Sequence, residues 1–382
     1  MSKRIRHAPS AVGELLGLLS DGRPRTRALL VEETGFPRAA VSARVDILID
    51  TGFVVHYDPA PSSGGRPAAR IAFNPRARSI LAVDLGASHA TIAVTDLDGA
   101  VLAEKREQID IADGPEAVLN HALDVAQALL TEAELERSSV AGIGIGVPGP
   151  VEHASGRPVK PPIMPGWDRF DIPAFVRGRI RTTVLVDNDV NLLALGEHAV
   201  RYPDVDDLIF VKISTGIGAG IISGGALQRG ALGAAGDLGH VQVPDDRGEA
   251  DLESVAGGPA IARRLPGEVA RTSEVVALLQ AGDRDAVAAV RAAGRDIGAA
   301  LAMCVNLLNP SVIVIGGSIA EAGQEVLAGV REVVYRRSLP LATQALDIVQ
   351  ASGDRDGGVR GAALMVRRHL LAPGNVDAFL AL

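Results

Sequence analysis

The sequence predicts a two-part chain, a winged helix-turn-helix head followed by a larger α/β body, on three observations. Short amphipathic helical segments and a pair of apolar strands fill the first 73 residues. From Ser79 the pattern changes to buried-type strands alternating with helices. The charge changes sign at the same place. Residues 1–78 carry 12 Lys/Arg against 7 Asp/Glu, a net of +5, in a chain whose net is −8, which leaves −13 for the remainder. A basic head on an acidic body directs the head alone toward a polyanion.

Composition sets the frame. At 382 residues the chain exceeds one ordinary domain. Hydrophobic residues make up 47% and charged residues 22%, enough for a sizeable core and too little charge for wholesale disorder. Aromatics reach only 3%, so the core rests on Val, Ile, Leu and Ala, which suits parallel strands covered by helices. Cys304 is the only cysteine, which excludes an intrachain disulfide and a cysteine-rich zinc site. The basic start MSKRIRHAPS is not followed by an apolar run of signal-peptide type. The longest uncharged run, Ile297 to Ala320, is broken by Asn306, Asn309, Pro310 and Gly316-Gly317, and reads as a buried helix then a strand. A cytoplasmic protein with no membrane partner is expected.

In the head, residues 9–20 and 26–34 read as short helices, with Thr26 as N-cap of the second and Gly35 as the break after it. A third helix is predicted from about Pro37 to Thr51, with Val41, Val45, Leu48 and Ile49 on one side. Phe53-Val54-Val55 and Arg70–Phe73, separated by a Pro/Ser/Gly stretch, make a two-stranded wing. In such modules the N-terminal part of the third helix enters the major groove. Projection of that helix turns Ala39, Ser42, Ala43 and Asp46 outward, flanked by Arg38 and Arg44. Arg66, in the Ser62–Pro67 tip, has the reach and charge for a minor groove. The DNA-contacting set is therefore Arg38, Ala39, Ser42, Arg44 and Arg66. A dimerisation module with a surface loop is the competing interpretation, weakened by the order of elements and the basic charge.

The body predicts strands at 80–83, 91–94, 101–103, 140–146, 183–186, 208–213, 218–222 and 311–315, with helices at 115–135 and 285–307. Three strand–loop elements stand out: Asp84-Leu85-Gly86-Ala87-Ser88, Ser214-Thr215-Gly216-Ile217-Gly218 and Gly316-Gly317-Ser318. Each presents backbone N–H groups or a hydroxyl in a form that phosphates use. One alone is a weak signal; three spaced along an α/β body are far more specific.

With these motifs the chain resembles the family of repressors, open reading frames and sugar kinases, the ROK family. The segments that carry the resemblance are DLGAS at 84–88, GIGIGVPGPV at 142–151, PGW at 165–167, DNDVN at 187–191, STGIGAGI at 214–221, GDLGH at 236–240, LESVAGG at 252–258 and NPSVIVIGGS at 309–318. With the head included, the chain is most similar to the N-acetylglucosamine, glucose and xylose repressors of that family. The resemblance implies an actin-like, ribonuclease-H-like duplicated sugar-kinase fold behind the winged helix-turn-helix. It divides the chain into a head at 1–76, a first lobe at 77–198 and a second lobe at 199–358, with a C-terminal helix at about 359–382 returning to the first lobe. It further implies a sugar site of Asn188, Asp189, Asp237, His240 and Glu253, Asp189 being the base in the kinases. A vestigial or weak nucleotide site would comprise Asp84, Gly86, Ser88, Thr215, Gly216, Gly218, Gly316 and Gly317.

The chain departs from the family pattern in four places. The zinc loop, Val241 to Glu253, holds none of the family's three cysteines, so no structural zinc and no other cofactor is expected. Ala87 and Ser88-His89 replace the Gly-Thr-Lys of active kinases, placing a methyl where glycine permits phosphate approach. Ile163 replaces an asparagine near the cleft, and Asp237 replaces a glutamate. The expected function is a sugar-responsive regulator of carbohydrate genes, most simply a repressor, that binds operator DNA as a homodimer or tetramer. The alternatives are an ATP-dependent sugar kinase that keeps a DNA-binding head, and a constitutive DNA-binding protein with an inert effector lobe.

Overall fold

The computed structural model describes residues 10–57, 69–245, 248–353 and 355–381. The wing tip, with Arg66, lies outside the described residues. The head comprises α1 (Ala11–Leu19), β1 (Arg25–Thr26), α2 (Arg27–Thr34), α3 (Arg38–Asp50), β2 (Val54–Tyr57) and β3 (Arg70–Phe73). Two of its three helix starts are capped by side chains: Ser10 Oγ accepts from Gly13 N, and Thr26 Oγ1 accepts from Leu29 N at 3.1 Å. Gly35, at φ +70°, closes α2 in the left-handed conformation that glycine adopts without strain. α3 buries Val41, Val45 and Leu48. The sheet has three strands in the order β1-β3-β2, one more than the two-stranded wing expected. The extra strand is two residues long and pairs Arg25 with Ile71; so short a segment carries no periodicity to read.

The body contains two sheets of one design. The first lobe runs β4 (Ser79–Leu85), β5 (His89–Asp96), β6 (Val101–Gln108), α4 (Pro115–Glu132), β7 (Val140–Val147), the short pair β8 (Val151–Glu152) and β9 (Arg157–Pro158), α5 (Ile172–Arg179), β10 (Thr183–Asn188) and α6 (Asp189–Arg201). The second runs β11 (Leu208–Ile213), β12 (Ile217–Ser223), β13 (Ala226–Gln228), the hairpin β14 (Gln242–Asp245) and β15 (Gly248–Asp251), then α7 (Leu252–Ala256), α8 (Gly258–Ala262), α9 (Thr272–Gln280) and α10 (Arg284–Leu308). It ends with β16 (Val312–Gly316), α11 (Ser318–Glu321), α12 (Glu325–Arg337), α13 (Pro340–Thr343) and β17 (Asp347–Gln350).

The strand orders are β6-β5-β4-β7-β10 and β13-β12-β11-β16-β17. In each sheet an antiparallel meander of three strands is extended by two parallel strands on the far side of its first strand. The duplication is thus written in the topology.

The chain closes with α14 (Gly357–Leu370) and α15 (Val376–Leu380). Where one terminal helix was expected, Pro373 and Gly374 break it in two. α6 and α14 cross at backbone contact. A Cβ at Gly361 would stand 1.8 Å from Leu192 O, and one at Gly196 would stand 2.0 Å from Gly357 O. Only glycine lets the axes come this close.

Each lobe has its own hydrophobic core, a third joins the head to the body, and a fourth links the two sheets through α6 and α14. In the third, Leu15, Val45, Leu48 and Phe53 of the head pack with Ile80, Val366 and Phe379. The head therefore shares its core with α14 and α15.

Candidate functional site

A cleft of about 210 Å³ opens between the two sheets. It is lined from the first lobe by the β4–β5 turn and the start of α6, and from the second by the β11–β12 loop and the 233–240 segment. Both loops follow the first strand of their sheet, β4–β5 in one lobe and β11–β12 in the other.

All five expected sugar-site residues line this cleft. Asn188 is the N-cap of α6: its Oδ1 accepts from Val190 N at 2.9 Å, and its Nδ2 donates to Gly149 O at 3.0 Å. The cap is thus Asn188, and Asp189 is the first helical residue. Asp189 is 4% exposed. Its Oδ1 accepts from Val190 N at 2.8 Å, and its Oδ2 accepts from Lys212 Nζ at 2.5 Å. Asp237 Oδ1 lies 2.9 Å from His240 Nδ1, and this hydrogen bond raises the imidazole pKa above its ordinary value. Glu253 is docked by its Oε2, which accepts from Ile217 N at 2.8 Å. A Cβ on Gly216 would meet that oxygen at 2.5 Å and displace the carboxylate from this position.

The expected nucleotide residues separate. Ser88, Thr215, Gly216 and Gly218 line the cleft. Asp84 sits behind it, where a Cβ on Gly358 would stand 2.1 Å from its Oδ2. Burial, then the nearby Asp189, push its carboxyl up to about 7 against the pull of Lys212. Gly86 faces the His89 ring, Gly316 packs on Phe210, and Gly317, at φ +90°, packs on Ile213 backbone. The third loop is tied to the second by Ser214 Oγ and Ser318 Oγ at 2.8 Å.

Neither cofactor suggested by the fold is matched by these residues. The zinc loop is an antiparallel hairpin pairing Gln242 with Asp251, and it supplies no thiolate. Among the described residues no three His, Cys, Asp or Glu side chains gather as a metal-binding group. For a metal-nucleotide complex, the turn at Gly86 carries the His89 ring in front of it, and Asp189 already holds an ammonium.

Two groups escaped the sequence reading. Lys212 is the lone charge in the strand Leu-Ile-Phe-Val-Lys-Ile, a signal that was available. Asp187, 2% exposed, accepts from Arg229 Nε at 2.6 Å and from Asn191 Nδ2 at 2.8 Å. It fixes the strand end that presents Asn188 and Asp189. Nothing in the sequence pairs Asp187 with Arg229, which lies 42 residues further on.

On the head, Arg38, Ala39 and Ala43 are exposed on α3 and Ser42 is partly so. Asp46 is paired with Arg27 at 2.6 Å. Arg44 turns inward, its guanidinium 4.6 Å from the centroid of Phe36.

The family model described as "ROK family" matches residues 80–369. The chain belongs to the ROK family. Its body has the actin-like, two-lobed sugar-kinase fold of that family. Among curated ROK relatives, the DNA-binding transcriptional dual regulator NagC of Escherichia coli is 29% identical, over 93% of this chain and 91% of that protein. A solved ROK family transcriptional regulator, described as a homolog of the E. coli MLC protein, is 27% identical with a TM-score of 0.80 and covers 97% of this chain and 98% of its own. The ROK hexokinase of Thermus thermophilus, 29% identical with a TM-score of 0.62, covers 97% of its own length but 75% of this chain. Likeness to the ROK regulators therefore takes in the head, whereas the hexokinase match leaves a quarter of the chain uncovered. Among the described residues no helix is long and apolar enough to cross a membrane.

Proposed function

We propose that this ROK protein is a sugar-responsive transcriptional repressor of carbohydrate-metabolism genes. Its head acts as a winged helix-turn-helix on operator DNA, and its interlobe cleft takes a free sugar. The observation that carries the proposal is the full-length likeness to regulators, head included, combined with a cleft that gathers carboxylates, an amide and an imidazole. Such groups donate to and accept from vicinal hydroxyls, and each one left unpaired in a closed site costs ~1–3 kcal/mol. Arg38, Ala39 and Ser42 form the groove-facing set on α3, with Arg66 at the wing tip. Two or four copies are needed, because helix-turn-helix heads read paired half-sites. Sugar closes the lobes about the α6–α14 crossing, and α14 carries the motion to the head it packs against. Sugar must bind one DNA-binding state better than the other for this coupling to exist.

The test is operator selection with the full-length protein, followed by fluorescence anisotropy with and without each of a panel of sugars. A sugar that changes operator affinity in the native protein but not in Asp189→Ala supports the reading. DNA binding unaffected by any sugar defeats the effector part, and absence of specific DNA binding defeats the whole. The kinase alternative keeps Asp189 as a candidate base and predicts sugar-dependent ADP formation. A protein that turns over ATP with a sugar would replace the repressor reading by that one.

A further inference from the structure

Lys212 is a charge placed inside an apolar strand. Its neighbours Val211 and Ile213 are 0% exposed, and its own side chain is 21% exposed toward the cleft. The ammonium crosses from the second-lobe sheet to Asp189 at the start of α6, 2.5 Å from Oδ2. Asp84 is the other carboxyl whose charge acts on it. Burial alone would lower the Lys212 pKa, but Asp189 and Asp84 outweigh it and hold the value above the ordinary one. The amine is thus cationic throughout the neutral range.

A buried carboxylate that stays ionised needs a cationic partner or hydrogen bonds. In an actin-like cleft a divalent metal escorting nucleotide phosphates fills that need, since such metals are held by one or two carboxylates plus the phosphates. Here the partner is covalently part of the chain. A metal ion approaching Asp189 Oδ2 meets a positive charge at the oxygen it must ligate. The adjoining turn carries the His89 ring in front of it: a Cβ on Gly86 would stand 2.2 Å from this exposed imidazole. Phosphate gains little elsewhere. The Lys212 ammonium is already paired with Asp189 and the His240 imidazole with Asp237, and Glu253 adds a further carboxylate to the same cleft.

We propose that Lys212 is the resident cation of the cleft and sets its ligand class, admitting an uncharged polyhydroxy ligand and rejecting metal–nucleotide complexes and phosphorylated sugars. This rests on the sugar-site reading above and narrows the ligand to one class.

The experiment is titration calorimetry on the full-length protein. The probes are free glucose, xylose and N-acetylglucosamine, then glucose 6-phosphate and N-acetylglucosamine 6-phosphate, then Mn²⁺ alone and with AMPPNP. The variants are Lys212→Met, which keeps the length of the side chain, and the double variant Lys212→Met/Asp189→Asn. The native protein is expected to bind a free sugar and neither of the other two classes. Lys212→Met should gain at least about tenfold in Mn²⁺ affinity, and the double variant should lose that gain. A loss of that kind ties the gain to the Asp189 carboxylate and not to unfolding. Mn²⁺ affinity unchanged in a folded Lys212→Met overturns the proposal. So does a sugar 6-phosphate that binds the native protein more tightly than the free sugar and is weakened by Lys212→Met. A native protein that binds no sugar of any kind defeats the sugar-site reading, and the Mn²⁺ comparison among variants still decides the role of Lys212.

Discussion

The ring of Phe53, between α3 and β2 of the head, packs edge-on against Phe379 of α15, with centroids 4.9 Å apart and planes at 62°. Around this contact Ser10 N donates to Asp377 at 2.7 Å, and Arg367 of α14 donates to Ser20 O while pairing with Asp98 at 3.0 Å. The same helix carries Gly358 in its first turn, against Asp84 behind the cleft. One helix thus runs from behind the cleft to the core it shares with the head.

Phe379→Ala is therefore expected to loosen the head without touching either binding surface. Removing a fully buried phenylalanine ring costs ~3–5 kcal/mol. Calorimetry should resolve a separate, lower-temperature transition for the head, where the native protein melts as one. Below that transition operator affinity should persist, while its response to sugar falls. A single unchanged transition with an intact sugar response would show that the shared core carries no coupling.

The α6–α14 crossing supplies a second expectation. Gly361→Ala forces a methyl to within 1.8 Å of Leu192 O, a backbone atom that cannot move without shifting α6 and Asp189 with it. Overpacking of this kind costs ~1–3 kcal/mol or more, and sugar affinity should fall with stability. Gly178→Ala, on α5 with nothing within 4 Å of the new methyl, is the control. It should be neutral, or stabilising by ~0.5–1 kcal/mol as the helix gains a better former. Equal effects of the two substitutions on thermal stability would refute the steric reading.

The parts of the fold that were legible in the sequence were those written in local chemistry. Thr26 and Gly35 bracket α2 because capping and left-handed backbone are properties of single residues, and the α3 face follows from the spacing of Val41, Val45 and Leu48. The strand-end motifs marked the cleft because their glycines and hydroxyls recur in order. What stayed hidden depends on contacts between distant segments. Arg44 lies on the flank that projection assigns to DNA, yet Phe36 captures its guanidinium. The continuity of Phe53 with Phe379 joins residues more than three hundred positions apart. Lys212 was visible as an oddity, but only folding shows that its ammonium reaches Asp189 from the opposite lobe.

Asp84 should make stability depend on pH. Its carboxyl is pushed up to about 7 from an ordinary 3.8. Below pH 4 the folded and unfolded chains both hold the proton, and the contribution is fully present. Between there and pH 7 only the folded chain keeps it, so this contribution is lost as pH rises and levels off once both forms are ionised. Asp84→Asn cannot ionise and escapes the loss. In denaturant titrations its stability relative to the native protein should rise from pH 5 to pH 8, by an amount on the order of 2–4 kcal/mol. A constant difference across that range would mean that Asp84 titrates as an ordinary carboxylate.

Arg38 and Arg44 lie six positions apart on α3, and the structure gives them opposite surroundings. Arg38 stands exposed in the first turn of α3, on the face proposed to meet DNA. Arg44 lies over Phe36, and its Nη1 is buried without a hydrogen-bond partner among the described residues. Arg38→Ala should leave the melting temperature unchanged. If the side chain reads a base, operator affinity falls by ~1–3 kcal/mol. If it meets a phosphate, the salt dependence of binding loses about one counterion per head. Arg44→Ala should behave in the reverse manner. Losing the cation–π contact costs ~0.5–2 kcal/mol of head stability, while the slope of log affinity against log salt stays as it was. Anisotropy titrations across a range of salt, run beside melting curves for both variants, separate the two cases. A salt slope lowered by Arg44→Ala and not by Arg38→Ala would mean that Arg44 leaves Phe36 to bind DNA.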